Sequence, residues 1–414
     1  MNRYRLPTLL LAGSLATVAQ AETTPYYIGA SQSFTRDSNL LRLSDTQEPP
    51  AGFSKADTIS STSLLAGLDQ PIGRQRVFGN VALRENRLSN NDVYNNQSYS
   101  LTAGADWETV EHISGNLKAS ANRSLAHFNT EQIGIVTKKN LETTQQVDAS
   151  FRIGVVTAWT AEAIVGWRSV DYSAVEYKSR EFSQNSISLG GRYRPRGATS
   201  LGVAVRDTKG KYPSFFPQAD GSYTGDQFDR QDIDFTGYIE PSGASSVAAR
   251  LSLGRTRYDL ATQRDFSGVT GLLKWNWQPT GKLKFDTRLS RDPGQDSYFF
   301  DSAVSNATVD YSRLTTALRI RADYEATAKI GLNATIGYSR RSLARTLPAI
   351  PGVDSQLTGS DHSTNFGLGA IWVPLRSVTV GCDATRDQRR GELPLSSNLS
   401  DTTLSCYGQF QLQL

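Results

Sequence analysis

The chain has 414 residues, which is enough for two or three ordinary domains. Its 44 Lys and Arg nearly balance its 40 Asp and Glu, so a net charge of +4 gives no support to a nucleic-acid partner. Hydrophobic residues make up 38% of the chain and mean hydropathy is -0.41. No segment after the N-terminus approaches the run of about 18 apolar residues that a membrane-spanning helix requires.

The first residues have the features of an export signal. Arg3 and Arg5 provide a positive end, Leu9 to Ala19 a mainly apolar run, and Ala19-Gln20-Ala21 a small-x-small cleavage site. The pattern predicts a signal peptide over residues 1–21 and a mature chain that begins at Glu22. Because no later segment could span a membrane as a helix, any insertion of residues 22–414 must be as a β-barrel.

The clearest strand signal lies between Gln97 and Ala121. Apolar residues from Tyr99 to Trp107 alternate with small or polar ones, a short connection follows near His112, and the alternation resumes at Ile113. A soluble sandwich also alternates, but each arm here has about ten residues, whereas globular strands average about five or six. The stretch therefore predicts a transmembrane β-hairpin with lipid outside and water inside.

The same pattern recurs from about Tyr26 to Leu414, with short connections alternating with long polar ones such as Asp207 to Arg230 and Arg341 to Asp361. Short periplasmic turns and long external loops are typical of outer-membrane barrels. The arms predict an all-β fold, a transmembrane antiparallel β-barrel of about 18 strands, in the outer membrane of a Gram-negative bacterium. The arms Tyr26 to Arg36 and Thr58 to Leu68 are the least regular, because Ser and Thr occur at both parities and the apolar face cannot be told from the polar one.

Charged residues occupy the polar parity of many arms, which predicts a water-filled bore. Among the positions assigned to this bore, basic side chains outnumber acidic ones. The excess of positive charge would attract a polyanion. A mixed-charge lining with no preferred cargo explains the pattern as well. The basic lining positions are Lys118, Arg152, Arg168, Arg192, Arg194, Lys282, Lys284, Arg288, Arg319 and Arg321, with Arg206, Arg250 and Lys274 on the same parity. The acidic ones are Asp106, Asp148, Glu162, Asp234, Glu240, Asp286, Asp323 and Asp383.

Tryptophans collect near the short turns, which is typical of an aromatic girdle at the headgroup level. Those assigned to the girdle are Trp107, Trp159, Trp167, Trp275, Trp277 and Trp372. Cys382 and Cys406 are the only cysteines, and both lie on the lipid-facing parity of the last hairpin. A cross-strand disulfide and two separate thiols are both compatible with this placement.

The sequence contains no nucleotide-binding or hydrolase motif, and its 3 histidines are far apart, so neither a cofactor nor a metal is expected. Ser124 with His127 is the nearest approach to a hydrolase pair, but it lacks an orienting third group. The aromatic residues Tyr212, Phe215, Phe216 and Tyr223 could stack on sugar rings, form a constriction, or form a small core of their own loop.

The N-terminal region resembles a known family. Phe34 to Leu43 contains the pattern D-x-N-L-x-R-L, and Lys55 to Ile59 and Gly73 to Arg76 follow it. These stretches are similar to the start of the EpsL-like β-barrels, encoded in exopolysaccharide operons within a broader group of β-barrel porins. An aromatic residue is usual in that family where Leu41 stands.

The resemblance implies an outer-membrane channel that supports polysaccharide export. Its partners would be membrane lipid, lipopolysaccharide, the exported polysaccharide and other secretion components. The excess of basic residues would suit an anionic polysaccharide. A general diffusion porin for small solutes is the alternative. A surface hydrolase that uses Ser124 and His127 is a third, less favoured hypothesis.

Overall fold

The computed structural model describes residues 24–109, 112–128, 136–154, 157–195, 198–218, 220–293, 312–346, 356–391 and 396–414, so the predicted signal peptide lies outside the described residues. The strands are β1 (Tyr26–Asp37), β2 (Asp57–Ile72), β3 (Gln75–Leu88), β4 (Asn96–Glu108), β5 (Ile113–Leu125), β6 (Leu141–Ile153), β7 (Trp159–Tyr172), β8 (Phe182–Tyr193), β9 (Ser200–Pro217), β10 (Tyr223–Ser242), β11 (Ser245–Tyr258), β12 (Phe266–Thr280), β13 (Leu283–Asp292), β14 (Ser312–Thr327), β15 (Ile330–Thr346), β16 (Gln356–Leu375), β17 (Val378–Gly391) and β18 (Leu399–Gln413).

All 18 strands belong to one antiparallel sheet. Each strand pairs with the next in sequence, and β1 pairs with both β2 and β18, so the sheet closes on itself. The predicted fold class, an antiparallel barrel of about 18 strands, is confirmed. Three short 3-10 turns, Asp92–Tyr94, Val175–Arg180 and Thr262–Arg264, lie in the connections β3–β4, β7–β8 and β11–β12. Among the described residues we find no helix of the length and apolarity needed to cross a membrane.

One parity of the strands faces outward all around the barrel. Leu64 lies opposite Leu83, and Leu83 lies opposite Tyr99, so side chains of one face stay together from strand to strand. Outward apolar side chains are largely exposed, such as Leu64 at 62% and Leu368 at 68%. A continuous apolar exterior on a closed barrel fits lipid, so the chain is an outer-membrane β-barrel of the Gram-negative type.

Two predicted loops are strands over most of their length. The predicted loop Asp207 to Arg230 is instead a hairpin, because β9 continues to Pro217 and β10 begins at Tyr223. Likewise β15 extends to Thr346 and β16 begins at Gln356, within the predicted loop Arg341 to Asp361. In these segments the outward positions become charged, as at Lys209 and Asp229, or small and polar, as at Ser342 and Ser360, so they no longer give an apolar and a polar face.

Five of the six tryptophans assigned to the girdle lie at or near strand ends that adjoin short connections. Trp159 is the first residue of β7, and Trp107, Trp275, Trp277 and Trp372 lie near the ends of β4, β12 and β16 that lead into short connections. Trp167 differs, because it follows Trp159 by eight residues in β7, or about 20 Å towards the long connections for a tilted strand. It faces outward at that level, opposite Val147.

Cys382 and Cys406 lie directly opposite each other on β17 and β18, on the outward parity, and a disulfide joins them.

Candidate functional site: the channel interior

The strands bring most of the predicted lining residues to the inward parity. Lys118 lies opposite Asp148, Arg152 opposite Glu162, and Asp286 opposite Arg321. The next rung beside each of these pairs consists of outward apolar residues. The predicted basic residues on inward positions are Lys118 in β5, Arg152 in β6, Arg168 in β7, Arg192 in β8, Lys284 and Arg288 in β13, and Arg319 and Arg321 in β14. Arg194 and Lys282 lie just outside strands, after β8 and before β13.

Near the periplasmic end, two arginines share one carboxylate. Glu162 accepts from Arg152 Nε at 2.6 Å and from Arg192 Nη2 at 2.9 Å. The side chains keep 13% exposure for Glu162 and 23% and 25% for the arginines, so water reaches all three. We call them the Glu162 cluster, and its formal charge is positive because two guanidiniums meet one carboxylate.

A row of three basic residues crosses the wall formed by β12, β13 and β14. Lys274 on β12 lies opposite Arg288 on β13, and Arg288 lies opposite Arg319 on β14. Side chains on one rung of an antiparallel sheet are about 5 Å apart, so three positive charges occupy about 10 Å of the wall. We call this the basic row; Asp286 and Asp323 lie closer to the periplasm on the same strands.

The extracellular half of the bore contains a buried charge network along β9, β10 and β13. Asp232 lies 2.8 Å from Arg230 Nε and 3.0 Å from Arg206 Nη2, and Arg230 Nη2 donates to its other oxygen at 3.1 Å. Arg206 also donates to Asp234 at 3.0 Å, and Arg230 reaches Asp292 at 3.5 Å. These five side chains, the central network, are between 0% and 9% exposed, in contrast to the Glu162 cluster.

Sequence reasoning missed three members of the central network. Arg230 fell inside the predicted loop, and Asp232 and Asp292 were not assigned to the bore. The alternation carried the signal, because counting back by twos from Asp234 along β10 puts Asp232 and Arg230 on the inward face. Further inward carboxylates, among them Asp37, Asp361 and Asp401, make the whole interior more mixed in charge than the sequence count suggested.

An aromatic cluster covers the central network on the extracellular side. It contains the buried residues Ala126, Val136, Val170, Tyr172, Ala174, Tyr177, Phe182, Tyr212, Phe215, Phe228, Tyr258 and Ala261, with Phe216 packed against them. The Arg264 guanidinium lies over Tyr212 at 4.8 Å and over Tyr258 at 4.6 Å, and it donates to the Tyr212 hydroxyl at 3.0 Å. The predicted aromatic insertion is thus largely a core, in which Tyr212 and Phe215 are buried.

Three extracellular connections are anchored in the same way. A backbone N–H before each 3-10 turn donates to a polar side chain of the preceding hairpin: Asn91 to Asp57 at 2.9 Å, Ala174 to Asn140 at 2.9 Å, and Leu260 to Asp226 at 2.8 Å. Each turn buries a large side chain, Tyr94, Tyr177 or Arg264. Burial, with Tyr177 nearby, raises the pKa of Tyr94 to about 12, so this hydroxyl stays protonated.

The D-x-N-L-x-R-L segment closes the seam between β1 and β18. Arg42 forms ion pairs with both Asp37 and Asp401, and it has a left-handed backbone with φ of 52°. The Asn39 side chain donates to Leu43 O at 2.8 Å and to Ser400 O at 3.1 Å. Leu40, Leu41 and Leu43 are buried with Leu88 and Tyr94 in a second cluster. The motif therefore has a structural role at the rim of the barrel.

The residues of the hydrolase hypothesis lie at the extracellular edge. Ser124 is on β5 opposite Glu142, and His127 follows the strand. The Glu142 carboxylate accepts from Thr144 and Tyr172, and the His127 carbonyl accepts from Tyr177. In the part of the chain that the structure describes, no cluster of three or more His, Cys, Asp or Glu side chains suits a metal ion.

No protein-family model matches the sequence, and no curated protein matches it either, so the EpsL-like assignment gains no support. Among solved structures, the chain is similar to the Pseudomonas aeruginosa outer membrane protein opdK, with 13% identity over 94% of this chain and 99% of that one, and a TM-score of 0.48. It is also similar to OccK9 (OpdG) of that species, with 13% identity over 94% and 98% and a TM-score of 0.47. For OprD of the same species the values are 10%, 95%, 97% and 0.44. Similarity at this level carries no information about what passes through the barrel.

Proposed function

We propose that the protein is a passive outer-membrane channel for small hydrophilic solutes, and that it favours anions. The observation that supports this most is the closed barrel whose periplasmic half is lined by charged side chains in contact with water, such as those of the Glu162 cluster. Charged side chains around a pore set the ion selectivity of its conductance.

The preference for anions follows from where the inward charges lie. The Glu162 cluster joins two arginines to one carboxylate, and Lys274, Arg288 and Arg319 share one inward rung. The central network, in contrast, pairs its two arginines with three carboxylates and is nearly dry. Arg288 is only 4% exposed, so the field that a solute meets is set mainly by accessible basic side chains such as Arg152 and Arg192.

The alternative is the polysaccharide export that the EpsL-like resemblance implies, with other secretion components as partners. A polymer needs a continuous wide passage, whereas the aromatic cluster and the central network pack one side of the extracellular half. Packing of one side of the bore favours small solutes over a hydrated polysaccharide chain.

Planar lipid bilayers with the purified full-length protein test the proposal. We expect stepwise conductance and, across a tenfold KCl gradient, a reversal potential of the sign for chloride preference. Liposomes should swell in monosaccharides and amino acids but not in dextran oligomers. Absence of conductance would refute the channel, cation preference would refute the charge argument, and dextran passage would favour the polysaccharide alternative.

A further inference from the structure

We propose that the outer wall of β15, β16 and β17 binds the phosphorylated headgroup of an outer-leaflet glycolipid, the lipid A portion of lipopolysaccharide. Arg340 lies directly opposite His362, and His362 lies directly opposite Arg390, so three basic side chains share one rung. All three are exposed on the outward parity. With strands about 4.8 Å apart, the two arginines are about 10 Å from each other across the wall.

The outer face of this part of the barrel carries no opposing charge in the described residues. On β14 to β18 and β1, each Asp or Glu that the structure describes has an odd number and belongs to the inward parity: Asp37, Asp323, Glu325, Asp361, Asp383, Asp387 and Asp401. The outward parity of the same strands carries Arg36, Arg340, His362, Arg386 and Arg390. This separation of charge on six adjacent strands favours an anionic partner on the outside of the barrel.

The opposite wall shows what an outward cation does when a carboxylate is at hand. Lys209 on β9 and Asp229 on β10 also face outward near the extracellular end, opposite each other in the register, and they form an exposed ion pair at 3.8 Å. The rung of Arg340, His362 and Arg390 has no described carboxylate of this kind beside it, so its charges are available to a ligand.

The position of the rung identifies the class of ligand. It lies in the half of each strand that leads into a long connection, and long connections face the cell exterior in outer-membrane barrels. Directly towards the membrane centre the outward side chains become apolar: Tyr338 is 46% exposed, Ile336 55% and Phe366 52%. The Tyr338 ring stacks on His362 with 6.4 Å between centroids. A molecule with phosphates at the rung of basic side chains and acyl chains along the apolar surface matches both parts of this outer wall.

Arginine suits the phosphate end of such a molecule. Its planar guanidinium can donate two parallel hydrogen bonds to one phosphate. Arg386, four residues nearer the membrane centre than Arg390, turns towards the rung, because its guanidinium donates to the Gln388 amide oxygen at 3.1 Å in the amide orientation that satisfies both groups. Long basic side chains extend in this way to place the charge at the headgroup level.

Binding of fluorescent bis-phosphorylated lipid A to the full-length protein in mixed micelles tests the proposal. The test variant is Arg340→Gln with Arg390→Gln. The matched control is Lys329→Gln with Arg376→Gln, which removes the same charge from the short turns at the other ends of these strands. Retention of the folded band on an unheated gel shows that both variants keep the barrel.

We expect the test variant to bind lipid A at least about tenfold more weakly than wild type, and the control to bind within about twofold. Dephosphorylated lipid A should bind wild type as weakly as the test variant binds lipid A. Equal affinity of test and control variants would overturn the proposal, as would equal binding of the two lipids. Complete displacement by millimolar inorganic phosphate would also overturn it, because the site would then hold a free anion. Conductance is a separate readout, so failure here leaves the channel proposal untouched.

Discussion

Removal of the Asp232 carboxylate should destabilise the barrel more than removal of any exposed charge on the same strand. Asp232 is 0% exposed and lies within 3.0 Å of both Arg206 and Arg230. Asp232→Ala leaves two buried guanidiniums with reduced compensation, and breaking a buried ion pair costs about 3–5 kcal/mol. Arg206 retains Asp234 and Arg230 retains Asp292, so we expect the lower end, about 3 kcal/mol.

Asp229→Ala is the matched control. Asp229 is three residues earlier on β10, faces outward, and pairs with Lys209 at 3.8 Å while 61% exposed. Such exposed pairs contribute less than about 1 kcal/mol. Urea unfolding in phospholipid vesicles, followed by tryptophan fluorescence, measures both variants. A loss below about 1 kcal/mol for Asp232→Ala, or equal losses for the two variants, would refute the inference that the central network is buried and mutually dependent.

Three further outcomes can be checked. Glu162→Gln removes the carboxylate shared by two arginines, so the reversal potential should move towards stronger chloride preference; a move towards potassium would contradict the placement of the cluster in the ion path. Cys382→Ser should lower the free energy of unfolding by about 3 kcal/mol under oxidising conditions and by nothing in reductant, since the disulfide closes a separation of 24 residues. Asp57→Ala removes the acceptor of backbone N–H groups of Ser89, Asn90 and Asn91, so chymotrypsin should cut at Tyr94 faster while the barrel stays folded; unchanged cleavage would show that the anchor is dispensable.

Strands that lie within the lipid could be predicted because their two faces meet different solvents. The hairpin Gln97 to Ala121 corresponds to β4, Asn96–Glu108, and β5, Ile113–Leu125. Hydrocarbon outside and water inside impose the period of two directly on the sequence. The same reasoning puts Arg152 and Glu162 on one face, because parity fixes the face of every residue once the face of one is known.

Strands that rise above the lipid could not be predicted in the same way. On β10, Gln227 and Asp229 face outward into water while Phe228 is buried inside, so polar and apolar faces are reversed relative to the membrane region. A search for apolar residues on the outward face therefore predicts no strand in this segment. Contacts across several strands were also hidden, because Arg230 reaches Thr270 on β12 and Asp292 on β13 only through barrel tilt and side-chain length.

The interior is asymmetric, and this asymmetry limits where solutes can pass. Inward residues of β9 to β13 in the extracellular half, such as Asp232 and Thr270, are buried under the aromatic cluster. Inward residues of β15 to β17, such as Thr335, Asn365 and Asp383, remain half-exposed. In the extracellular half, a water-filled path must therefore pass beside the buried side chains of β9 to β13, along inward positions that remain accessible, such as those of β15 to β17. The central network then forms one wall beside the path. Substitutions in the network should therefore lower the free energy of unfolding more than they change the conductance.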